Sequence, residues 1–301
     1  MRYRIGLAFG IAGALLSSVA YAQDDAHDPL LAPVSEDFAK QWLAPTPPIK
    51  VFGHTYLVGY GGLTVVLIKT DAGLILIDGA VPQAVRGIEA NIRTLGFDIK
   101  DVKYILSTEP HYDHAGGIAA LQRDSGARVV ASIPGAAVLR TGKSGTDDPQ
   151  ASWLSPYPAV PKVLGLRDGM TIRIGGTVVR AVATPSHTAG SMSWTWKDCE
   201  GDVCKTVVFG SSLSPTAAPD WKYSDPKHAP WVSTFRATLA KVRKLPCDIL
   251  FSAHPSQSGG DAKYAAFTKS PDPNPYVDPN ACSAYADRFE KALNEKIAKG
   301  D

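Results

Sequence analysis

From residue 64 onward, apolar and polar positions alternate in short blocks, and the blocks predict strands and helices in turn. Residues 64–69 and 74–77 are apolar runs of strand length flanking Thr70-Asp71-Ala72-Gly73, which reads as a hairpin. Residues 81–95 carry a helical pattern, with Pro82 near the start and Gly96 just past the end. Residues 102–106 read as a buried strand, 118–123 as the first turns of a helix, and 128–132 as another strand. A second series of strands is expected at 171–174, 177–183, 192–196 and 206–209. It precedes a helix at 231–244 in which Trp231, Phe235, Leu239 and Val242 share one face, read as core alone. A short strand at 248–251 and a C-terminal helix at 280–299 complete the pattern. Residues 141–161, rich in Gly, Pro and Ser, form a loop long enough to border a site. The proline clusters at 44–48 and 271–275 read as rigid connectors, not domain boundaries.

The chemistry concentrates where one strand gives way to a helix. Glu109-Pro110-His111-Tyr112-Asp113-His114 places two carboxylates and two imidazoles within six residues. Backbone at such a corner follows neither the strand nor the helix period, so its side chains can converge on one point. Mixed nitrogen and oxygen donors of this kind suit zinc. The chain has seven His, and two more of them, His187 and His254, also follow strand-like runs. Three strand ends thus deliver ligands to one edge of the fold. The other three, His27, His54 and His228, read as structural or solvated.

These residues carry a resemblance to the metallo-β-lactamase-fold hydrolases, which are marked by His-x-His-x-Asp-His, a later His after a strand and a final His near the C-terminus. Within them the chain most resembles the third subclass of class B β-lactamases. The matching stretches are 61–68, 76–79, 186–191 and 211–214, and the likeness runs from about Trp42 to about Phe289. It implies an α/β fold, an αββα sandwich. Length alone would allow two domains, but ligands from both halves argue for one domain over residues 23–301 with the site at the seam. The resemblance implies two zinc ions per chain. Glu109, His111 and His187 would hold one, and Asp113, His114 and His254 the other. Glu109 stands where the family has the first His of its motif, so that first position is altered in reach and charge. Asp78 resembles the family's supporting Asp, and Ser212 and Ser214 fall where the third subclass contacts its substrate.

Residues 1–22 have a basic start, a short apolar stretch and an Ala-Tyr-Ala end, read as a secretory signal leading to the periplasm. A membrane anchor is the competing reading of that stretch, which is short and broken by glycines. Without it the chain carries 29 basic and 29 acidic residues, because the segment contains two Arg and no acids. That balance offers no electrostatic case for nucleic acid or an anionic membrane; a small molecule and a monomer are expected. Four cysteines in an exported chain read as two disulfides, with three connectivities possible. Cys199 and Cys204 look like a hairpin tip closed by its own bridge. That leaves Cys247 with Cys282, a pairing the resemblance supports.

The implied activity is hydrolysis of a β-lactam amide by a zinc-bound hydroxide, with Asp113 orienting it. Two rivals follow from the same residues. One is a lactonase or thioesterase of the same fold. The other is a zinc-binding protein without catalysis, disabled by the glutamate.

Overall fold

The computed structural model describes residues 27–301, so the expected leader lies outside the described residues. Two sheets pack face to face. The first contains β1 (Ile49–Phe52), β2 (Thr55–Leu57), β3 (Val66–Thr70), β4 (Gly73–Ile77), β5 (Val102–Leu106), β6 (Arg128–Ser132) and β7 (Val163–Leu166), in that spatial order. It is antiparallel up to β4 and parallel from β4 to β7. The second contains β8 (Thr171–Ile174), β9 (Thr177–Ala183), β10 (Met192–Glu200), β11 (Val203–Gly210) and β12 (Ile249–Ser252), ordered β12-β11-β10-β9-β8. The helices are α1 (Glu36–Ala39), α2 (Val85–Thr94), α3 (Tyr112–Ala115), α4 (Ile118–Ser125), α5 (Ile133–Leu139), α6 (Ala229–Arg243), α7 (Gly260–Lys269) and α8 (Ala281–Lys299).

Strand alternation sorts the apolar side chains into three layers. Leu67, Leu74, Leu76 and Val129 face outward from the first sheet onto Ile88 and Ile92 of α2 and Leu121 of α4. Val66, Ile68, Ile75 and Ile77 face inward and meet Trp194, Trp196, Val207 and Phe209 of the second sheet. Val208 and Leu250 face the other way, onto Phe235 and Leu239 of α6 and Phe289 and Leu293 of α8. The result is helix, sheet, sheet, helix, as the αββα expectation states.

This arrangement places several strand ends at one edge. The strands β4 and β5 run parallel, and so do β11 and β12. Because β10 is antiparallel to both β9 and β11, β9 points the same way as β11. The segments leaving β5, β9, β11 and β12 therefore emerge together. A cross-layer bond fixes their mutual position, since the Trp194 indole N–H donates to the carbonyl of Ser107 (3.2 Å), just after β5. The two predicted disulfides are both present, Cys199–Cys204 at the tip of the β10–β11 hairpin and Cys247–Cys282 between the start of β12 and α8.

Candidate metal centre

After β5 the chain makes two residues of turn, passes Glu109 and Pro110, and caps the four-residue helix α3 with His111. One turn then presents Asp113 and His114. The corner is braced from beneath by Asp78, which is fully buried. Its carboxylate accepts the Thr108 N–H (2.7 Å) and the Thr108 hydroxyl (2.6 Å), and one oxygen lies 3.9 Å from His114 Nδ1. Asp78 and Ala80 hold φ of 66° and 55°, a left-handed conformation uncommon for residues with a side chain. A side chain on Gly117 would collide with the Gly79 carbonyl, so the two turns can close on each other only through glycine.

Asp113, His114 and His254 bring one donor atom each to within 4.8 Å of one another. His114 Nε2 lies 3.2 Å from His254 Nε2 and 3.3 Å from Asp113 Oδ2, and His254 Nε2 lies 3.1 Å from the same carboxylate oxygen. Glu109 Oε1 is 3.0 Å from His114 Nε2. Nitrogen and oxygen donors at about 2.0–2.2 Å from a tetrahedral zinc stand about 3.3–3.6 Å apart, so these separations nearly match the edges of such a polyhedron. The tautomer agrees: His254 Nδ1 donates to the Gly62 carbonyl (3.1 Å), which leaves Nε2 as the lone-pair atom facing the cluster. The donor set fits the metal.

Charge supports the same conclusion. Burial alone would drive the His114 imidazole down, yet Asp113, Glu109 and Asp78 around it push its pKa up to about 10. Burial would raise the Asp113 carboxyl, but His114 and His254 hold it well below its ordinary value. The surroundings thus favour one positive charge at this point, carried by a proton or by a metal ion.

Across the same cavity lie His111 and His187, their ring centroids 5.0 Å apart. His187 Nδ1 donates to the Ser214 carbonyl (2.8 Å), and the Gln150 amide approaches His187 Nε2 at 2.9 Å. His111 Nε2 pairs with Asp148 Oδ2 at 2.9 Å. Glu109, expected as the third donor here, instead bonds the Ser212 hydroxyl (2.7 Å) through the oxygen that faces His114; its other oxygen is buried without a partner. Burial opposes ionisation of Glu109, but His114, His187 and His111 nearby outweigh it and lower its pKa.

Of the six residues expected as donors, Asp113, His114 and His254 converge, His111 and His187 lie across the cavity from them, and Glu109 sits at the border between the two groups. Ser212, expected at the substrate, is fully buried and serves Glu109. Ser214 does line the cavity. The face of α6 read as core alone also shapes the site: Trp231 donates to the Ser186 carbonyl (3.0 Å) and Thr238 to that of Pro185 (2.6 Å), which fixes the turn before His187. Asp148 and Gln150 carry no signal in the sequence beyond membership of the long loop after α5. The remaining histidines lie elsewhere. His54 pairs with Asp198, His228 stacks on Trp221, and His27 is exposed.

Residues 58–254 match the family model of the metallo-beta-lactamase superfamily. The chain belongs to that superfamily. The solved structure of a B3 metallo-beta-lactamase with an active-site glutamic acid is 48% identical, with 91% of this chain and 98% of that chain covered and a TM-score of 0.83. The Rm3 metallo-beta-lactamase is 40% identical, over 89% of this chain and 99% of that chain, with a TM-score of 0.84. Among curated relatives, the hydroxyacylglutathione hydrolase of Rhodopseudomonas palustris (strain BisB18) is 26% identical over 166 residues, 54% of this chain. This chain spans about half the length of that relative (51%).

The cavity over the metal corner has a volume of about 610 Å³. Its apolar wall is Phe38, Trp42, Trp153 and Leu154, and its polar edge includes Gln150, Ser214, Thr216 and Gln257. A larger share of rigid aromatic surface than of charge suits a compact organic substrate. No helix among the described residues is long and apolar enough to cross a membrane.

Proposed function

We propose that the protein is a zinc-dependent β-lactamase. The observation that carries this reading is the convergence of Asp113, His114 and His254 within 4.8 Å, opposite His111 and His187 in one cavity. Supporting it is the 48% identity to a B3 enzyme that also has an active-site glutamic acid. Asp113, His114 and His254 would hold one ion, and His111 and His187 with Glu109 beside them the other. Zinc, when bound there, supplies Lewis acidity and makes water nucleophilic near neutral pH.

The chain's own residues do the rest. Asp113, ionised well below neutral pH, is the carboxylate placed to accept a hydrogen bond from an attacking water and so aim it. Trp42, Trp153 and Phe38 cover the apolar body of the substrate and exclude solvent. Ser214 and Gln257 lie along the polar edge and can donate to a substrate carboxylate. Export by residues 1–22 and a monomeric mature chain belong to the same reading, and two disulfides support an oxidising compartment.

The test is hydrolysis of a chromogenic cephalosporin by the purified chain, with zinc returned to chelator-stripped protein. Saturable turnover that depends on zinc is expected. Turnover confined to lactones or to glutathione thioesters would overturn the reading in favour of the activity borne by the curated relatives.

A further inference from the structure

The two histidine nitrogens of a neutral imidazole are not equivalent: one carries the proton and donates, the other carries the lone pair and binds metal. In this molecule His187 and His254 both spend Nδ1 on a backbone carbonyl, of Ser214 and Gly62. His111 is arranged the opposite way. Its Nε2 lies 2.9 Å from Asp148 Oδ2, and both side chains are nearly out of solvent, at 2% and 8% exposure.

We propose that Asp148 is a positioning residue for the first metal position: its carboxylate takes the Nε2 proton of His111 in a hydrogen bond and thereby commits Nδ1 to the metal. The proposal rests on the zinc-hydrolase reading only for the identity of the ion.

Three observations carry it. The loop that bears Asp148 is built, not draped. Asp148 Oδ1 accepts the Gln150 N–H (2.9 Å), the neighbouring Pro149 carbonyl accepts the Ala218 N–H (2.8 Å), and the Tyr157 hydroxyl donates to the Pro110 carbonyl (2.8 Å). That last bond ties the loop to the residue immediately before His111, so Asp148 and its histidine share one frame. The second observation is chemical: a carboxylate partner strengthens an imidazole as a donor to metal more than a carbonyl does. The third is the state of Glu109, whose Oε1 is engaged by Ser212 and His114. With a carboxylate replacing an imidazole and drawn toward the other cluster, His111 and His187 bear more of the first position. A charged partner behind His111 offsets part of that loss.

Zinc affinity of the apoprotein, measured by chelator competition for each equivalent in turn, tests the assignment without any substrate. Asp148→Ala should weaken one equivalent by about 10–100-fold and leave the other within about 2-fold. Asp148→Asn, which keeps an acceptor without the charge, should fall between. Long-range proton–nitrogen NMR of the zinc-loaded protein should show the His111 proton on Nε2 in the wild type and loss of that single tautomer in Asp148→Ala. Wild-type affinity for both equivalents in Asp148→Ala would overturn the proposal. So would an equal loss at both together with a lowered melting temperature of the apoprotein, which would make Asp148 a support of the fold. Zinc binding as predicted with no cephalosporin turnover by the wild type would instead remove the β-lactamase reading and leave Asp148 in its role.

Discussion

The two halves of the metal centre are built by different means. Asp113, His114 and His254 are set by the ends of β5 and β12 and by backbone partners such as the Gly62 carbonyl; their donor atoms already stand within 4.8 Å. His111 and His187 also follow the ends of β5 and β9, but the loop between α5 and β7 reaches them as well, placing Asp148 on His111 Nε2 and the Gln150 amide against the lone-pair Nε2 of His187. The first kind of site is a property of the sandwich alone, and the second a property of the sandwich and one long connection together. Chemistry that must be constant belongs on the former, and affinity that can be tuned belongs on the latter.

The sharpest way to break this comparison is to remove a scaffold ligand. His254→Ala should abolish one zinc equivalent and lower kcat/KM for a cephalosporin by about 10²–10³-fold, the range seen when a preorganised electrostatic group is lost. Metal analysis alongside the rate decides it; an enzyme that keeps both the metal and the rate would show that the converged cluster is not the working one.

Next in size is Glu109→His. Restoring an imidazole should tighten the weaker equivalent by about 10-fold, in the range of effects of ligand-shell changes. Removing a negative charge beside the metals should also move the acidic limb of the pH–rate profile to lower pH, because a less electron-rich centre acidifies water more strongly. Coincident limbs for the two proteins would refute the charge argument.

A smaller effect is expected from Ser212→Ala. Its hydroxyl is a buried donor to an ionised carboxylate, a bond worth about 1.5–3 kcal/mol. The melting temperature should fall and the weaker zinc equivalent should change, with KM held. A rise in KM with unchanged zinc affinity would return Ser212 to the substrate.

The smallest change is Trp231→Phe, which deletes one hydrogen bond to the Ser186 carbonyl. A loss of about 1 kcal/mol in unfolding free energy is expected, with the His254 side of the centre untouched.

These contrasts also explain what could be read from the sequence. Strands at 102–106, 128–132, 171–174 and 177–183 coincide with the observed elements, because each is a short apolar or alternating run closed by polar or turn residues. The helix α5 was not anticipated. It is short, begins with Ile133-Pro134-Gly135 and has no charged face, so it gives no 3.6-residue signal. The strand at 192–196 extends to Glu200 because pairing with β11 continues through polar residues as far as the disulfide-closed tip. Within the centre, the residues that converge, Asp113, His114 and His254, were legible because imidazoles and carboxylates at strand ends form a rare pattern. Asp148 and Ser212 were not: an Asp in a loop and a Ser after a strand are common, and only tertiary proximity gives them a task.

The spread of the ligands along the chain has a consequence for truncated chains. His114 and His254 are 140 residues apart, and β12, which leads into the latter, pairs with β11 and, at Ile249, bridges to Val277. Without that strand the Asp113–His114 corner lacks the third of its converging donors and is a poorer competitor for metal. A chain truncated before residue 254 should therefore hold zinc at this cluster far more weakly, although β1 to β7 and the Asp113–His114 corner all precede the cut.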